Sequence, residues 1–174
     1  MKSLFFSLCL LTVSLTYGQI GASVGYGSAK ATASGNGFSE SSESVSVFSF
    51  GVFSDVEISE KFDVQPYVSF GIGEKIDNKS NNALGFGANL QFYPSRETMG
   101  VFMGPSLAYA LSLADVDTDS VKKGIFEGGL QAGFDFSEHF TALLQFQTTL
   151  QNASKIDGIK LHARGFGVTL QYKF

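Results

Sequence analysis

The sequence predicts an all-β fold, namely a closed antiparallel barrel of eight strands that run up and down in chain order. Beyond the N-terminal residues, apolar side chains alternate with polar or small ones, which is the period-two pattern of strands. The 174 residues include 18 Phe and 20 Gly, a composition that disfavours helices. Charged residues make up 16% of the chain, below the roughly 25% of soluble proteins. We therefore expect much of the surface to face something other than water.

The N-terminal residues 1–18 have the features of a secretory signal peptide, which leaves residues 19–174 as the barrel domain. Lys2 supplies the positive charge, and an apolar run follows over residues 4–15. This run is shorter than the roughly 20 residues of a membrane-spanning helix. Cys9, the single cysteine, lies inside the run rather than at its end, which disfavours a lipoprotein signal.

Eight runs of alternating residues give the strands of the predicted barrel. They are residues 20–27, 45–58, 62–73, 84–92, 101–111, 126–136, 140–150 and 165–174. In each run one face carries Phe, Val, Leu and Ile, while the other carries mostly Gly, Gln, Ser and Asn. The run at 62–73 shows this most clearly, because Val64, Val68 and Phe70 alternate with Gln65 and Ser69.

The predicted connections alternate in length along the chain. The long ones are residues 28–44, 74–83, 114–123 and 151–160, and the short ones are residues 59–61, 93–98 and 137–139. An even number of strands with long loops on one side and short turns on the other is typical of outer-membrane barrels. Both termini are then expected at the end with the short turns.

The apolar face is predicted to point outward into lipid, which makes the barrel transmembrane. An eight-stranded barrel has an interior only just wide enough for side chains, so the many Phe residues would not fit inside it. A soluble ligand carrier needs the reverse arrangement, with an apolar cavity and a polar exterior. Aromatic girdles are expected at both interfaces. The aromatic residues predicted at the rim that holds the termini are Phe62, Phe92, Tyr93, Phe136, Phe140, Tyr172 and Phe174.

The region after the signal peptide resembles the small eight-stranded outer-membrane barrels, the OmpX-type proteins and the OmpA-type membrane domain. The sharpest motif is the C-terminal run at residues 166–174, in which apolar residues alternate up to a final Phe. It is similar to the terminal strand that the barrel-assembly machinery recognises in this class. The resemblance implies that Leu170, Tyr172 and Phe174 carry this assembly signal, although they could be lipid-facing side chains only. It also implies a bacterial outer-membrane location with both termini in the periplasm.

Several ionisable residues are expected to face the lumen by parity. They are Asp55, Glu57, Asp63, Glu127, Asp135 and Lys173. One interpretation is a conduit that prefers cations. The other, which the narrow bore favours, is structural: four of the carboxylates are solvated at the periplasmic mouth, and Glu127 is hydrogen bonded or neutral.

Two basic residues, His162 and Arg164, are expected on the outer face near the external rim. Arg164 could contact lipopolysaccharide phosphates, because guanidinium groups bind phosphate bidentately. The alternative is simple snorkelling at the interface. The net charge is −4 and the longest basic run is Lys122-Lys123, so a nucleic-acid partner is not expected. The expected partners are outer-membrane lipid, lipopolysaccharide and the assembly machinery.

Three functions remain open at this stage. The first is a non-enzymatic barrel with a structural or surface-interaction role through its extracellular loops. The second is a small passive channel, and the third is a lipid-modifying hydrolase, which would need a serine such as Ser154 beside His162. No catalytic, cofactor or metal site is expected. The alternating Asp115, Asp117 and Asp119 lack the Gly and the later Glu of an EF-hand calcium loop.

Overall fold

The computed structural model describes residues 18–35, 37–76, 79–95, 100–113 and 120–174. Its strands are β1 (Gln19–Gly35), β2 (Phe38–Ser41), β3 (Val45–Ser59), β4 (Phe62–Ile76), β5 (Lys79–Phe92), β6 (Val101–Ser112), β7 (Gly124–Asp135), β8 (Phe140–Thr149) and β9 (Lys160–Lys173). The part of the chain described contains no helix that is long and apolar enough to cross a membrane. The predicted signal peptide, including Cys9, falls almost wholly outside these residues.

Eight of the strands form the closed antiparallel barrel that the sequence predicts. Each of β3 to β8 pairs with the next strand in the chain, β1 pairs with β3, and β9 returns to pair with β1. The closing ladder runs from Gly21↔Lys173 to Ser34↔Lys160. Closure gives each barrel strand a partner on both sides, so the backbone N–H and C=O groups are satisfied within the sheet.

The short strand β2 was not predicted. It folds back on the distal part of β1, with Gly35 opposite Phe38 and Thr32 opposite Ser41. Gly37 has a φ of 84°, a left-handed conformation that suits glycine in a tight turn. Most of the predicted loop at 28–44 is therefore a hairpin that extends the barrel wall.

The lengths of the connections agree with the prediction at all but one of the remaining positions. The long connections at 113–123 and 150–159 and the short ones at 60–61, 93–100 and 136–139 are present. The predicted long loop at 74–83 is wrong, because β4 continues to Ile76 and β5 begins at Lys79. Hydrophobic alternation fades in this segment, whereas backbone pairing continues through polar residues such as Asn81 and Asn82.

The two faces of the wall have the predicted polarity. On the outside, Leu130 is 66% exposed and Phe50 is 51% exposed, whereas inside the barrel Gln65 and Gln91 are only 1% exposed. We call the outer apolar surface the belt. Its exposed side chains include Val24, Phe50, Val52, Val68, Phe70, Phe86, Met103, Leu107, Leu130, Phe134, Leu144, Phe146, Val168 and Leu170.

Aromatic pairs border the belt at both ends of the barrel. The terminal end, which holds both termini, carries Phe62 against Phe92 with ring centroids 5.1 Å apart and Phe140 against Tyr172 at 5.0 Å. The opposite end, here called the loop end, carries Tyr26 against Phe48 and Tyr109 against Phe126, both pairs at 5.1 Å. The prediction that Tyr93 belongs to the aromatic girdle at the terminal end is wrong. Its side chain is 4% exposed and packs inside the barrel against Phe102.

Besides Tyr93, three aromatic rings on the described strands face inward, and each lies directly opposite a glycine on one neighbouring strand. Phe53 pairs with Gly21, Tyr67 with Gly87 and Phe102 with Gly133. A Cβ atom built on any of these glycines would collide with the ring opposite it. The abundant inner-face glycines thus give a narrow bore room for aromatic side chains.

Gly133→Ala tests this packing, with Gly165→Ala as the matched control. The new methyl at 133 would overlap the Phe102 ring, which is fully buried and has little freedom to move. The nearest heavy atom to a Cβ at 165 is Ser28 O at 3.4 Å, an ordinary contact. In urea unfolding of the refolded barrel, Gly133→Ala should lower stability by about 1–3 kcal/mol. Gly165→Ala should be neutral or slightly stabilising. Equal stabilities of the two variants would contradict the packing.

Candidate functional site

An ion-pair cluster closes the lumen at the terminal end. Lys173 Nζ lies 2.9 Å from Asp55 Oδ2 and 3.4 Å from Asp135 Oδ1, and Thr141 Oγ1 donates to Asp135. The predicted inward direction of these side chains is correct. The expectation that they are solvated is wrong for Asp55 and Asp63, which are 8% and 7% exposed. Asp55 can be buried because Lys173 places a positive charge between the carboxylates of Asp55 and Asp135.

A layer of amide side chains lies directly above the ion pairs. Gln65 Nε2 donates to Asp55 Oδ1 at 2.6 Å and to Gln171 Oε1 at 3.2 Å. Gln65 Oε1 accepts from Asn89 Nδ2 at 3.0 Å and from Gln171 Nε2 at 3.1 Å. Gln65 thereby connects strands β3, β4, β5 and β9 across the bore.

An apolar cluster fills the other side of the same region. Tyr93, Phe102 and Leu143 are all nearly inaccessible to solvent and form a buried core. The Tyr93 hydroxyl donates to Gln91 Oε1 at 3.3 Å. Burial, together with the nearby charge of Asp135, raises the pKa of the Tyr93 hydroxyl, so it remains a donor. We call the ion pairs, the amide layer and this cluster together the plug.

Beyond the plug, the lumen widens into a chamber of about 490 Å³. Its floor consists of plug and neighbouring residues, including Gln65, Asn89 and Leu143, and its mouth is at the loop end. The walls carry hydroxyl and amide groups among small apolar side chains, and Glu127 is the one acid among the described residues that line them. The basic residues Lys122, Lys123 and Arg164 contribute to the mouth. The described lumen is thus divided into a filled terminal half and an open loop-end half, which argues against the channel hypothesis.

The chamber mouth is partly covered by two connected loops. Asn152 Oδ1 accepts from Ser154 N and Leu161 N, and Asn152 Nδ2 donates to Ile159 O. Lys122 Nζ donates to Asn152 O at 2.8 Å, which ties residues 120–123 to the loop at 150–159. Sequence reasoning missed this role of Asn152. The only available signal was an Asn with a Ser two positions later, a common local turn pattern.

The outer wall carries basic side chains just beyond the belt at the loop end. The predicted outward direction of His162 and Arg164 is correct, and both are exposed. The structure places Lys160 on the same face of β9, and it places Lys30 of β1 directly opposite Arg164. We call Lys30, Lys160, His162 and Arg164 the basic patch. Like charges directly opposite each other repel, so the pairing of Lys30 with Arg164 is unfavourable without an anion between them.

Among the described residues, His162 has no serine as a hydrogen-bond partner, and Ser41, which lines the same pocket as His162, is hydrogen bonded to Thr32. Ser154 Oγ instead makes hydrogen bonds with the backbone of Ile156, accepting from its N at 3.0 Å. His162 Nδ1 lies 3.3 Å from Thr149 Oγ1. Within the described residues, no group of three or more His, Cys, Asp and Glu could hold a metal. Asp115, Asp117 and Asp119 lie outside the described residues.

The three residues of the expected assembly signal are on the outer face of the last strand. Leu170, Tyr172 and Phe174 are 45%, 39% and 71% exposed. Phe174 N donates to Ile20 O at 2.9 Å, so the C-terminus is held against the first strand where the barrel closes.

Comparison with known proteins finds a similar barrel fold among solved structures. No protein-family model matches the chain, and no curated protein sequence matches it. Among solved structures it is similar to Neisserial surface protein A (NspA), at 14% identity and a TM-score of 0.53 over 88% of this chain and 97% of that one. It is also similar to Ail, the attachment invasion locus protein of Yersinia pestis (14% identity, TM-score 0.49, 91% and 100% covered). A further match is the N-terminal barrel domain of Pseudomonas aeruginosa OprF (13% identity, TM-score 0.48, 90% and 99% covered). The likeness to NspA carries the fold assignment and confirms the predicted architecture.

The plug predicts that the folded protein does not conduct. In planar bilayers the purified barrel should give flat current traces at either polarity, because side chains fill the terminal half of the bore. A large porin added afterwards to the same membrane serves as the positive control. Reproducible single-channel current steps before that addition would contradict a lumen closed by the plug and would support the channel hypothesis.

Proposed function

We propose that the chain is an integral protein of the bacterial outer membrane with a non-enzymatic, structural or surface-interaction role through its loop end. The belt carries this proposal. A continuous ring of exposed Phe, Leu, Val and Met is far larger than the apolar patches of soluble proteins, and a lipid environment accommodates it. The apolar runs also have about the 9–11 residues that a tilted transmembrane strand needs.

The proposed orientation places both termini in the periplasm and the loop end outside. At the terminal end, residues 60–61 join β3 to β4 and residues 136–139 join β7 to β8, whereas the loop end carries the β1–β2 hairpin and the two joined loops, with the β4–β5 connection as its exception. This distribution is usual for outer-membrane barrels. NspA, which shares the fold, is by its name a surface protein. The joined loops around Asn152 would then present an ordered surface to the exterior.

The last strand is proposed to act as the signal for barrel assembly. Its outward apolar side chains, Leu170, Tyr172 and Phe174, remain accessible on the belt. Phe174 also lies beside Ile20 at the seam where the first and last strands meet. A strand that completes the barrel last is a suitable one for an assembly factor to hold.

The basic patch is proposed to bind the phosphate groups of lipopolysaccharide. In the proposed orientation it lies just outside the apolar belt, beyond Tyr26 and Phe166, at the level of the outer-leaflet headgroups. Lys30 and Arg164 are adjacent across the β1–β9 ladder, and the ion pairs found among the described residues do not include them. A phosphate between the two groups would relieve their repulsion and satisfy the guanidinium bidentately.

Phe70→Arg tests whether the belt faces lipid. Phe70 lies on the outer face, and an Arg near the bilayer midplane of a barrel costs about 2–4 kcal/mol. Ser69→Arg is the matched control, because Ser69 lines the chamber and is flanked by Gly51 and Gly85. Folding yield into phospholipid vesicles, read as heat-modifiable migration on gels, should fall for Phe70→Arg and much less for Ser69→Arg. Equal yields would rule out the assignment of the faces.

A Lys30→Ala/Arg164→Ala double variant tests the phosphate proposal. Its affinity for purified lipopolysaccharide in titration calorimetry should fall by about tenfold or more, as expected for the loss of charge-assisted hydrogen bonds. Lys61→Ala, in the turn at the terminal end, is the control and should bind as well as the unmodified protein. Without lipopolysaccharide, the double variant should be no less stable, since it removes a repulsion. An unchanged affinity of the double variant would refute the site.

A further inference from the structure

The carboxylate of Glu127 has no role in the plug, the belt or the basic patch. Glu127 lies on β7 and lines the chamber, flanked in the ladders by Ala108 on β6 and Thr149 on β8. It is half-buried, and its two cross-strand neighbours offer little polar surface. A carboxylate removed from water in this way is costly unless something compensates its charge.

The described part of the chain supplies no counter-ion to Glu127. The ion pairs inside the described barrel belong to Lys173, at the opposite end of the lumen. Three basic residues of the described chain contribute to the chamber mouth, and none of them forms an ion pair with Glu127. Lys122 Nζ is hydrogen bonded to Asn152 O, whereas Lys123 and Arg164 are exposed. The carboxylate therefore faces an open chamber in which a positive charge from a ligand would be favourable.

The chamber walls suit a ligand that also forms hydrogen bonds. Hydroxyl and amide groups line part of the space, and Tyr67 contributes a ring to the wall. The hydroxyl and amide residues of the wall include Ser23, Ser49, Ser69, Gln145 and Gln147. The volume of about 490 Å³ falls within the roughly 300–1,000 Å³ of small-molecule pockets.

We propose that the chamber binds a small organic cation with a primary ammonium group, for which Glu127 is the counter-ion. Hydroxyl and amide oxygens of the walls accept hydrogen bonds from the remaining N–H groups of the ammonium, and the walls bind the rest of the molecule. A bare divalent metal is a poorer fit, because such ions need several oxygen ligands with carboxylates among them, and Glu127 is the one acid among the described residues of the chamber wall. The proposal holds whichever compartment the loop end faces.

Nuclear magnetic resonance titration of the isotope-labelled full chain in detergent micelles tests the proposal, with putrescine as the probe. Saturable shifts are expected at Ser49, Gln145 and Gln147. Glu127→Gln keeps the shape of the side chain but removes its charge, so the affinity should fall by about tenfold or more. Glu74→Gln is the control, because Glu74 is an exposed acid of β4 beyond the belt, and its affinity should not change. The neutral analogue 1,4-butanediol should bind far more weakly than putrescine.

Several outcomes would overturn the proposal. They are the absence of saturable shifts in the unmodified protein, equal binding of butanediol, and undiminished putrescine binding by Glu127→Gln. If Glu127→Gln does not give the spectrum of a folded barrel, Ser69→Leu replaces it, because it narrows the chamber while the carboxylate stays in place. That variant should also lose binding, and undiminished binding would again reject the chamber as the site.

Discussion

The pairing of β1 with β9 closes the sheet, and the closure fixes which side chains must share a narrow interior. Once every strand has two neighbours, alternate residues have only two environments, the outer belt and the bore. The belt takes the large apolar side chains. The bore must then hold what remains, and each buried polar group there needs a partner. The plug satisfies this requirement through Gln65, Gln171 and the Lys173 ion pairs.

The same constraint explains the glycines of the inner face. A bore of eight strands has room for few large side chains at one level. The strand residues that point a ring inward, such as Tyr67 and Phe102, therefore have a glycine across one of their ladders, although Phe53 and Tyr67 lie opposite each other across the β3–β4 ladder. Beyond the level of Tyr67, towards the loop end, small inward residues predominate, and space is left for the chamber. A filled half and an open half thus follow from where the inward aromatic side chains lie along the strands.

The strand number, the faces and the termini at one end could be predicted because they follow from a period of two. The direction of Asp55 and Lys173 was correct for this reason. Their burial was not predictable, because it depends on which residues of different strands meet at one level of the bore. Tyr93 is a different case. It lies just past the end of β5, and its inward direction continues the alternation of Asn89 and Gln91, so the pattern of the strand extended by one residue would have placed it correctly. The sequence identified His162 and Arg164 of the basic patch but not Lys30. Lys30 is far from Arg164 in sequence, and only the closing ladder brings the two together.

The accessibility of nitroxide labels along β4 in reconstituted vesicles tests the central claim most directly. Labels placed singly at residues 68 to 72 would be exposed to oxygen, which concentrates in lipid, and to a water-soluble nickel chelate. The account predicts a period-two pattern in which oxygen collisions are highest at positions 68, 70 and 72 and the nickel chelate reaches none of these three. High nickel accessibility at these positions, or oxygen collisions without a period of two, would contradict a barrel that presents its apolar face to the bilayer.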